Sequence, residues 1–259
     1  MPFSDYKTAL VTGASSGIGA AVVERFRREN IEVHAVARSA EALQQLAAQT
    51  GCIAHVIDVT DRQAMAELTR RVEFDILVNN AGVDRPKKFL EADGGDIDLI
   101  VDVNLRAVLH ICRLVVPGMV ARDRGHVINI SSIAGAYNFG GNSSYHATKA
   151  GVSMLSNQLR IDAFGKRVRV TEICPGRVAT DIFNHVHGDD PSIRERFIDG
   201  FELPQAADIA DAIAFAIAAP VAVNIGHMEI TPTLQVMGGL QTAKPQPAAK
   251  TDQSGEPNP

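Results

Sequence analysis

A chain of 259 residues, 46% hydrophobic and 21% charged, is long enough to bury a sizeable core and fits one α/β domain of ordinary globular composition. Its formal net charge of -5 argues against nucleic acid, whose binding asks for a basic face, and no stretch is apolar for long enough to span a bilayer. Cys52, Cys112 and Cys174 lie far apart without CxxC pairing, and Met1–Asp5 lacks signal-peptide character; no disulfide framework, no metal site and a cytoplasmic location are the expectations.

Short β-branched runs alternate with longer helical patterns, which predicts parallel strands joined by helices. Lys7 to Thr12 reads as the first strand, followed by a glycine turn and a helix from about Ile18 to Glu29. The turn is Thr12-Gly13-Ala14-Ser15-Ser16-Gly17-Ile18-Gly19, a G-x3-G-x-G spacing rather than G-x-G-x-x-G. Glycines here allow a tight strand-to-helix turn and close approach of backbone N–H groups to a pyrophosphate at the positive end of the helix. As a bare motif it could be only a turn; its place between a first strand and an amphipathic helix favours the nucleotide reading. No P-loop lysine follows, which disfavours a nucleoside triphosphatase.

Glu32 to Ala37 is the second predicted strand, with a helix over Glu41–Gln49. An acid at the tip of this strand holds the ribose 2′-hydroxyl in NAD-preferring folds and repels a 2′-phosphate. The tip here is Val36-Ala37-Arg38-Ser39, without an acid, and the Arg38 guanidinium suits a phosphate by charge and shape; the alternative is a solvated loop arginine. Ile53–Ile57 is the third strand, and Asp58 beyond it either holds the adenine amino group or is a turn acid before Val59-Thr60-Asp61. Phe74–Val78 is the fourth, ending in Asn79-Asn80-Ala81-Gly82.

A long helix is expected over about Asp96–Ala121, disturbed near Pro117-Gly118. Asn104 sits in its apolar stretch, and a buried amide there either ties backbone groups or supports a water chain to Lys149. His126–Ile130 is the fifth strand, with Ser132 just beyond it. A helix follows from near Tyr145 to Phe164, and residues four apart on a helix share a face, so the Lys149 ammonium can lie beneath the Tyr145 hydroxyl. Such a cation would lower the phenol's ordinary pKa near 10 towards the range useful for acid/base work. Alone, the pair could be a surface contact; Ser132 and Asn104 count against that. Val168–Ile173 and Met228–Ile230 are the last strands. Asp181–Leu203, of mixed polarity and rich in turn residues, is expected to be a mobile flap, and Gln241–Pro259 a disordered tail behind a single domain over 1–240.

Taken in order, Thr12-Gly13…Gly17…Gly19, Asn79-Asn80-Ala81-Gly82, Asn104, Ser132, Tyr145 with Lys149, and Pro175-Gly176…Thr180 resemble the short-chain dehydrogenase/reductase family from Lys7 to Leu240. The resemblance implies a Rossmann-type doubly wound parallel sheet with helices on both faces. It implies a catalytic set of Asn104, Ser132, Tyr145 and Lys149, transferring hydride between NADP(H) and a small-molecule carbonyl or secondary alcohol. It further implies that the cofactor is held by Gly13, Ser15, Ser16, Gly17, Ile18, Gly19, Arg38, Asp58, Val59, Asn80, Ala81, Gly82, Tyr145, Lys149, Pro175, Gly176, Val178 and Thr180. Members of the family are commonly homotetramers or dimers, with the helices around Asn104 and Tyr145 at an interface.

Within the family, Pro117-Gly118-Met119-Val120, Val168-Arg169-Val170-Thr171 and Val223-Asn224-Ile225…Met228-Glu229-Ile230-Thr231-Pro232-Thr233 most resemble the 3-hydroxy acid (serine and allo-threonine) dehydrogenase group. Phe183–Asp190 follows that pattern only in part. A substrate carboxylate would call for a cation, with Arg177, His185 and Arg85 as candidates. A ketoacyl-carrier-protein or small-ketone reductase is the alternative; a non-catalytic NADP(H) sensor is the alternative of another class.

Overall fold

The computed structural model describes residues 3–85, 87–141, 143–180 and 198–245. After a short helical turn, β1 (Thr8–Thr12) leads into α1 (Gly17–Arg28), β2 (Glu32–Ala37), α2 (Ala40–Thr50), β3 (Ile53–Val56), α3 (Arg62–Arg71) and β4 (Ile76–Asn79). The second half runs α4 (Gly94–Val101), α5 (Ala107–Ala121), β5 (Gly125–Ile130), α6 (Ser143–Asp162), β6 (Val168–Pro175), α7 (Ala206–Ala218) and β7 (His227–Ile230).

All seven strands pair in parallel in the order β3-β2-β1-β4-β5-β6-β7. Successive side chains leave opposite faces of a strand, so Ala9 and Val11 enter one core while Leu10 between them enters the other. The first core takes α1, α2 and α7 through Val22, Phe26, Leu43, Ile209 and Ile213. The second takes α3, α5 and α6 through Met65, Leu68, Ile111, Val115 and Val152. The chain winds outward from β1 on one side and from β4 on the other. In such sheets a crevice opens beyond the carboxyl ends of the strands where the order reverses.

Three expectations need correction. The long helix is interrupted at Asp102–Arg106, which form a turn of π-helix, whereas Pro117 lies inside α5. Arg113, whose carbonyl loses its partner to that proline, is on the exposed side of α5, where water can replace the bond. Helix α7 had no counterpart in the strand-and-helix reading; its Ile209, Ala210, Ile213, Ala214 and Ile217 are buried on one face. The first residues of the supposed tail turn back as well: Val236 N–H donates to Gln241 O (2.8 Å) and Ala243 N–H to Leu234 O (2.9 Å). Most of the flap, residues 181–197, and the end, 246–259, lie outside the described residues.

The C-terminus of α7 is held from the sheet by one side chain. Arg169 of β6 is buried, and its Nη1 donates to the carbonyls of Ala216 (3.2 Å), Ala219 (3.1 Å) and Val223 (3.3 Å). Its Nη2 donates to Ile217 O (2.7 Å) and Tyr6 Oη (3.1 Å). The Ala216, Ile217 and Ala219 carbonyls are of the kind that a helix end leaves unpaired, and a planar fork reaches more of them than an ammonium can. Arg169→Lys should therefore lower stability by about 2–3 kcal/mol, a fall in melting temperature of roughly 5–10 °C. A melting temperature unchanged to within a degree would show that the fork is dispensable.

Candidate active site

The glycine turn is built by hydrogen bonds between the ends of β1 and β4. Thr12 Oγ1 accepts the N–H groups of Asn80 (3.0 Å) and Ala81 (3.1 Å). Asn80 Nδ2 donates to the carbonyls of Thr12 (3.0 Å) and Gly13 (3.1 Å). Gly13 has φ +63, and a Cβ there would lie 2.8 Å from the Cα of Ala81; one on Gly19 would lie 2.2 Å from the Gly13 carbonyl. Neither position admits a side chain. The turn delivers the N-terminus of α1, with no acidic residue in its first turn, to a groove of about 710 Å³. Anions are favoured at such a terminus.

Gly13, Ser15, Ser16, Gly17, Ile18, Arg38, Asp58, Val59, Asn80, Ala81, Gly82 and Thr180 all line that groove. Gly19 does not; it acts by letting α1 close on Gly13. At the far end the Arg38 guanidinium is exposed and lies 3.9 Å from Asp58 Oδ2. Asp58 Oδ1 accepts from Thr60 N (2.9 Å) and Thr60 Oγ1 (2.8 Å), so this carboxylate serves its own turn and faces Arg38. No acid occupies the strand tip, where Ala37, Arg38 and Ser39 line the groove. The floor, size and cationic end fit a dinucleotide carrying an extra phosphate.

A second cavity, of about 250 Å³, adjoins the first through Ile18, Asn80, Gly82, Asp84 and Thr180. Ser132, Tyr145, Lys149, Pro175, Gly176 and Val178 line it, with Phe139, His146, Arg177 and Leu240. Ser132 comes from the short turn after β5 and Tyr145 from the first turn of α6, and their side chains hydrogen-bond each other. Lys149, one turn further on, is buried; its Nζ donates to Ile130 O (2.9 Å) and lies 5.5 Å from the Tyr145 ring centroid.

Tyr145 does not show the lowered pKa expected from its lysine neighbour. Burial, then the charge of Asp84, push the phenol up, against a smaller lowering by the Ser132 hydrogen bond. Burial also draws the Lys149 ammonium down to about 8, despite Cys174, Asp84 and Glu172 acting the other way. The stabilised form here is therefore the protonated phenol, which can donate to a substrate oxygen.

Asn104 lines neither cavity. Its Oδ1 accepts the Val83 N–H and its Nδ2 donates to the Val83 carbonyl, both at 2.8 Å. Of the two roles weighed for it, the structure displays the backbone tie, made from within the π-helical turn. The tie secures Gly82, where an added Cβ would sit 3.5 Å from Asn104 Oδ1 and 3.8 Å from Lys149 Nζ. Asp84 was missed; an acid just beyond the Asn-Ala-Gly turn, at a crevice-forming strand end, was the available signal. Among the carboxylate-binding candidates, Arg177 lies in the second cavity and Arg85 beside the first, and His185 is outside the described residues.

The family model described as short chain dehydrogenase matches residues 7–190. An uncharacterised short-chain type dehydrogenase/reductase of Sinorhizobium fredii is 35% identical over 244 residues, covering 94% of this chain and 98% of its own. An NADP-dependent 3-hydroxy acid dehydrogenase of Escherichia coli (strain K12) is 36% identical over 241 residues, covering 89% of this chain and 97% of its own. Among solved structures, the closed form of a serine dehydrogenase complexed with NADP+ aligns with a TM-score of 0.85 at 35% identity, covering 92% of this chain and 100% of that one.

The Lys149 ammonium makes a testable demand on stability. Its folded pKa of about 8 lies below the ordinary 10.5, so folding disfavours the charged form. Below pH 8 the folded state carries that cost in full; between pH 8 and 10.5 the unfolded chain binds more protons, and stability contributed by this group rises with pH. Lys149→Met removes the buried charge, so its stability relative to wild type should be highest near pH 7 and fall as pH rises through that window. A difference independent of pH would show that Lys149 does not titrate there.

Proposed function

The chain belongs to the short chain dehydrogenase family, oxidoreductases acting on CH–OH groups, and from that premise we propose that it uses NADP(H) to interconvert a small 3-hydroxy acid and its keto form. The observation that carries this reading is the Ser132–Tyr145 hydrogen bond above buried Lys149, in a cavity that opens onto the glycine-turn groove. Bound NADP(H) supplies the hydride in one direction and accepts it in the other. The Ser132 and Tyr145 hydroxyls together grip the substrate oxygen. Tyr145, held protonated by burial, donates its proton to the oxygen of a carbonyl being reduced; in oxidation it must take that proton back, and the Lys149 charge then favours the phenolate. Orientation in a desolvated cavity supplies much of the acceleration.

Two observations support an acidic substrate. Over most of both chains the protein resembles the 3-hydroxy acid dehydrogenase of Escherichia coli. Arg177 brings a cation to the second cavity, its guanidinium 5.1 Å from the Phe201 ring centroid and its Nη2 donating to Leu240 O (2.8 Å). A non-catalytic sensor would have no use for the retained Tyr145 and Lys149. Three buried free thiols suit a reducing cytoplasm, and no helix among the described residues is long and apolar enough to cross a membrane. Leu109 and Leu114 on α5 with Met154 and Ile161 on α6 are exposed large apolar groups, which fits assembly into a dimer or tetramer through those helices.

Absorbance of reduced nicotinamide tests the reading, with NADP+ and NAD+ run in parallel on 3-hydroxy acids and on neutral secondary alcohols. Strong NADP+-linked oxidation of the acids is expected; turnover confined to neutral compounds would discard the carboxylate. Tyr145→Phe should lower turnover about 10²–10⁴-fold with NADP+ affinity nearly unchanged, and a variant retaining appreciable rate would remove Tyr145 from its role. Arg38→Ala should weaken NADP+ binding roughly 10–100-fold and leave NAD+ binding as it was. Equal weakening of both would mean that Arg38 does not meet the 2′-phosphate.

A further inference from the structure

The last strand pair of the sheet carries a set of side chains that neither cavity uses. The β6–β7 register sets Glu172 opposite His227 and Cys174 opposite Glu229. Residues two apart on a strand share a face, so one face of this pair gathers two carboxylates, an imidazole and a thiol. Glu172 and Cys174 are buried, whereas the His227 side chain is 49% exposed. Cys174 Sγ lies 3.2 Å from Glu172 Oε1, His227 Nδ1 lies 3.2 Å from Glu172 Oε2, and Sγ and Nδ1 are 3.8 Å apart. One ligand atom from each residue fits within a span of 4.8 Å.

We infer that Glu172, Cys174 and His227 form a three-ligand site for a divalent transition ion of the zinc class. An ion bonded to O and N at about 2.0–2.1 Å and to S at about 2.3 Å in a tetrahedron holds its ligands roughly 3.3–3.6 Å apart; Sγ and Nδ1 are already 3.8 Å apart, and Glu172 presents a different oxygen to each, with one atom from all three residues inside 4.8 Å. Oxygen, nitrogen and sulfur in one set suit zinc and its neighbours. A lone carboxylate offers too few oxygens for calcium or magnesium. The ligands converge without an ion because the Glu172 carboxylate accepts hydrogen bonds from the Cys174 thiol and from His227; Ser153 of α6 adds a third. An incoming ion displaces the thiol proton to solvent; Nδ1 of His227 gives up the proton it shares with Glu172, and the neutral ring takes one on Nε2 instead. Thiolate and carboxylate then balance the two positive charges, which a largely buried site requires. The exposed imidazole gives a way in, and the fourth position is left to water or to Glu229, the register neighbour of Cys174. Sequence spacing hides such a site, since its ligands come from two strands 53 residues apart.

Cobalt(II) titration of the full chain, first freed of metal by a chelator, tests the site without reference to turnover. One equivalent per chain should bind with a near-ultraviolet thiolate-to-cobalt band, and zinc should abolish the band by displacement. Cys174→Ser should lose the band and Cys52→Ser keep it. His227→Gln, at a half-exposed edge position that leaves the fold intact, should weaken binding at least roughly tenfold, and Ser153→Ala roughly 10–100-fold, as for a residue that orients a ligand. Absence of a thiolate band in the folded wild-type chain would overturn the proposal. So would a band undiminished in Cys174→Ser, or an affinity unchanged in His227→Gln.

Discussion

Two backbones meet at the ends of β1 and β4, and the architecture of the site depends on how closely they do so. Thr12 Oγ1 receives two N–H groups from the β4 end, and Asn80 Nδ2 returns a hydrogen bond to two carbonyls of the turn. This lacing leaves no room for a Cβ on Gly13 or Gly19. Only then does the N-terminus of α1 point into the groove while the β4 end, through Gly82, forms the wall shared with the second cavity. Asn104 extends the same construction by clamping Val83 from a turn of π-helix. The regular geometry of an α-helix would place each successive residue about 100° further round; one widened turn re-aims an amide without ending the helix.

The second cavity is polar where polarity is costly. A buried phenol is pushed up and a buried ammonium pulled down, both because charge is disfavoured away from water. Asp84 pulls the two groups in the same direction, towards their protonated forms. A protonated phenol beside a charged lysine is the arrangement suited to donating a proton, and the reverse transfer leaves a phenolate next to a cation. Desolvation that weakens the fold thus prepares the chemistry, and the compensation comes from elsewhere, such as the three hydrogen bonds by which Arg169 fastens the end of α7 to the sheet.

Much of this was legible in the sequence because it is written in local patterns. Apolar runs at strand spacing, the glycine turn, Tyr145 four residues before Lys149, and the missing acid beside Arg38 each follow from short-range rules. What was not legible depends on long-range environment. The direction of the Tyr145 shift is set by burial and by Asp84, 61 positions away (145 − 84). The π-helical turn leaves no compositional trace at Asp102–Arg106, whereas Pro117, the conspicuous residue, sits harmlessly on an exposed face. Helix α7 went unread although its isoleucines recur at helical spacing; its alanine-rich sequence lacks the polar face that makes other helices stand out. Residues Gln241–Ala243 look like tail because their order comes from Leu234–Val236, not from apolar content of their own.

Position along β6 separates two sets of residues. Pro175 and Gly176 line the second cavity at its carboxyl end, while Glu172 and Cys174, on one face just before it, meet His227. Ser153 links that cluster to the helix bearing Tyr145 and Lys149, since its hydroxyl, which donates to Glu172, also lies 3.1 Å from the Lys149 carbonyl. A change in the hydrogen bonding of Glu172 is therefore felt at the backbone of α6 within one side chain. The edge of the sheet and α6 thus share one side chain, Ser153, four residues beyond Lys149 on the helix.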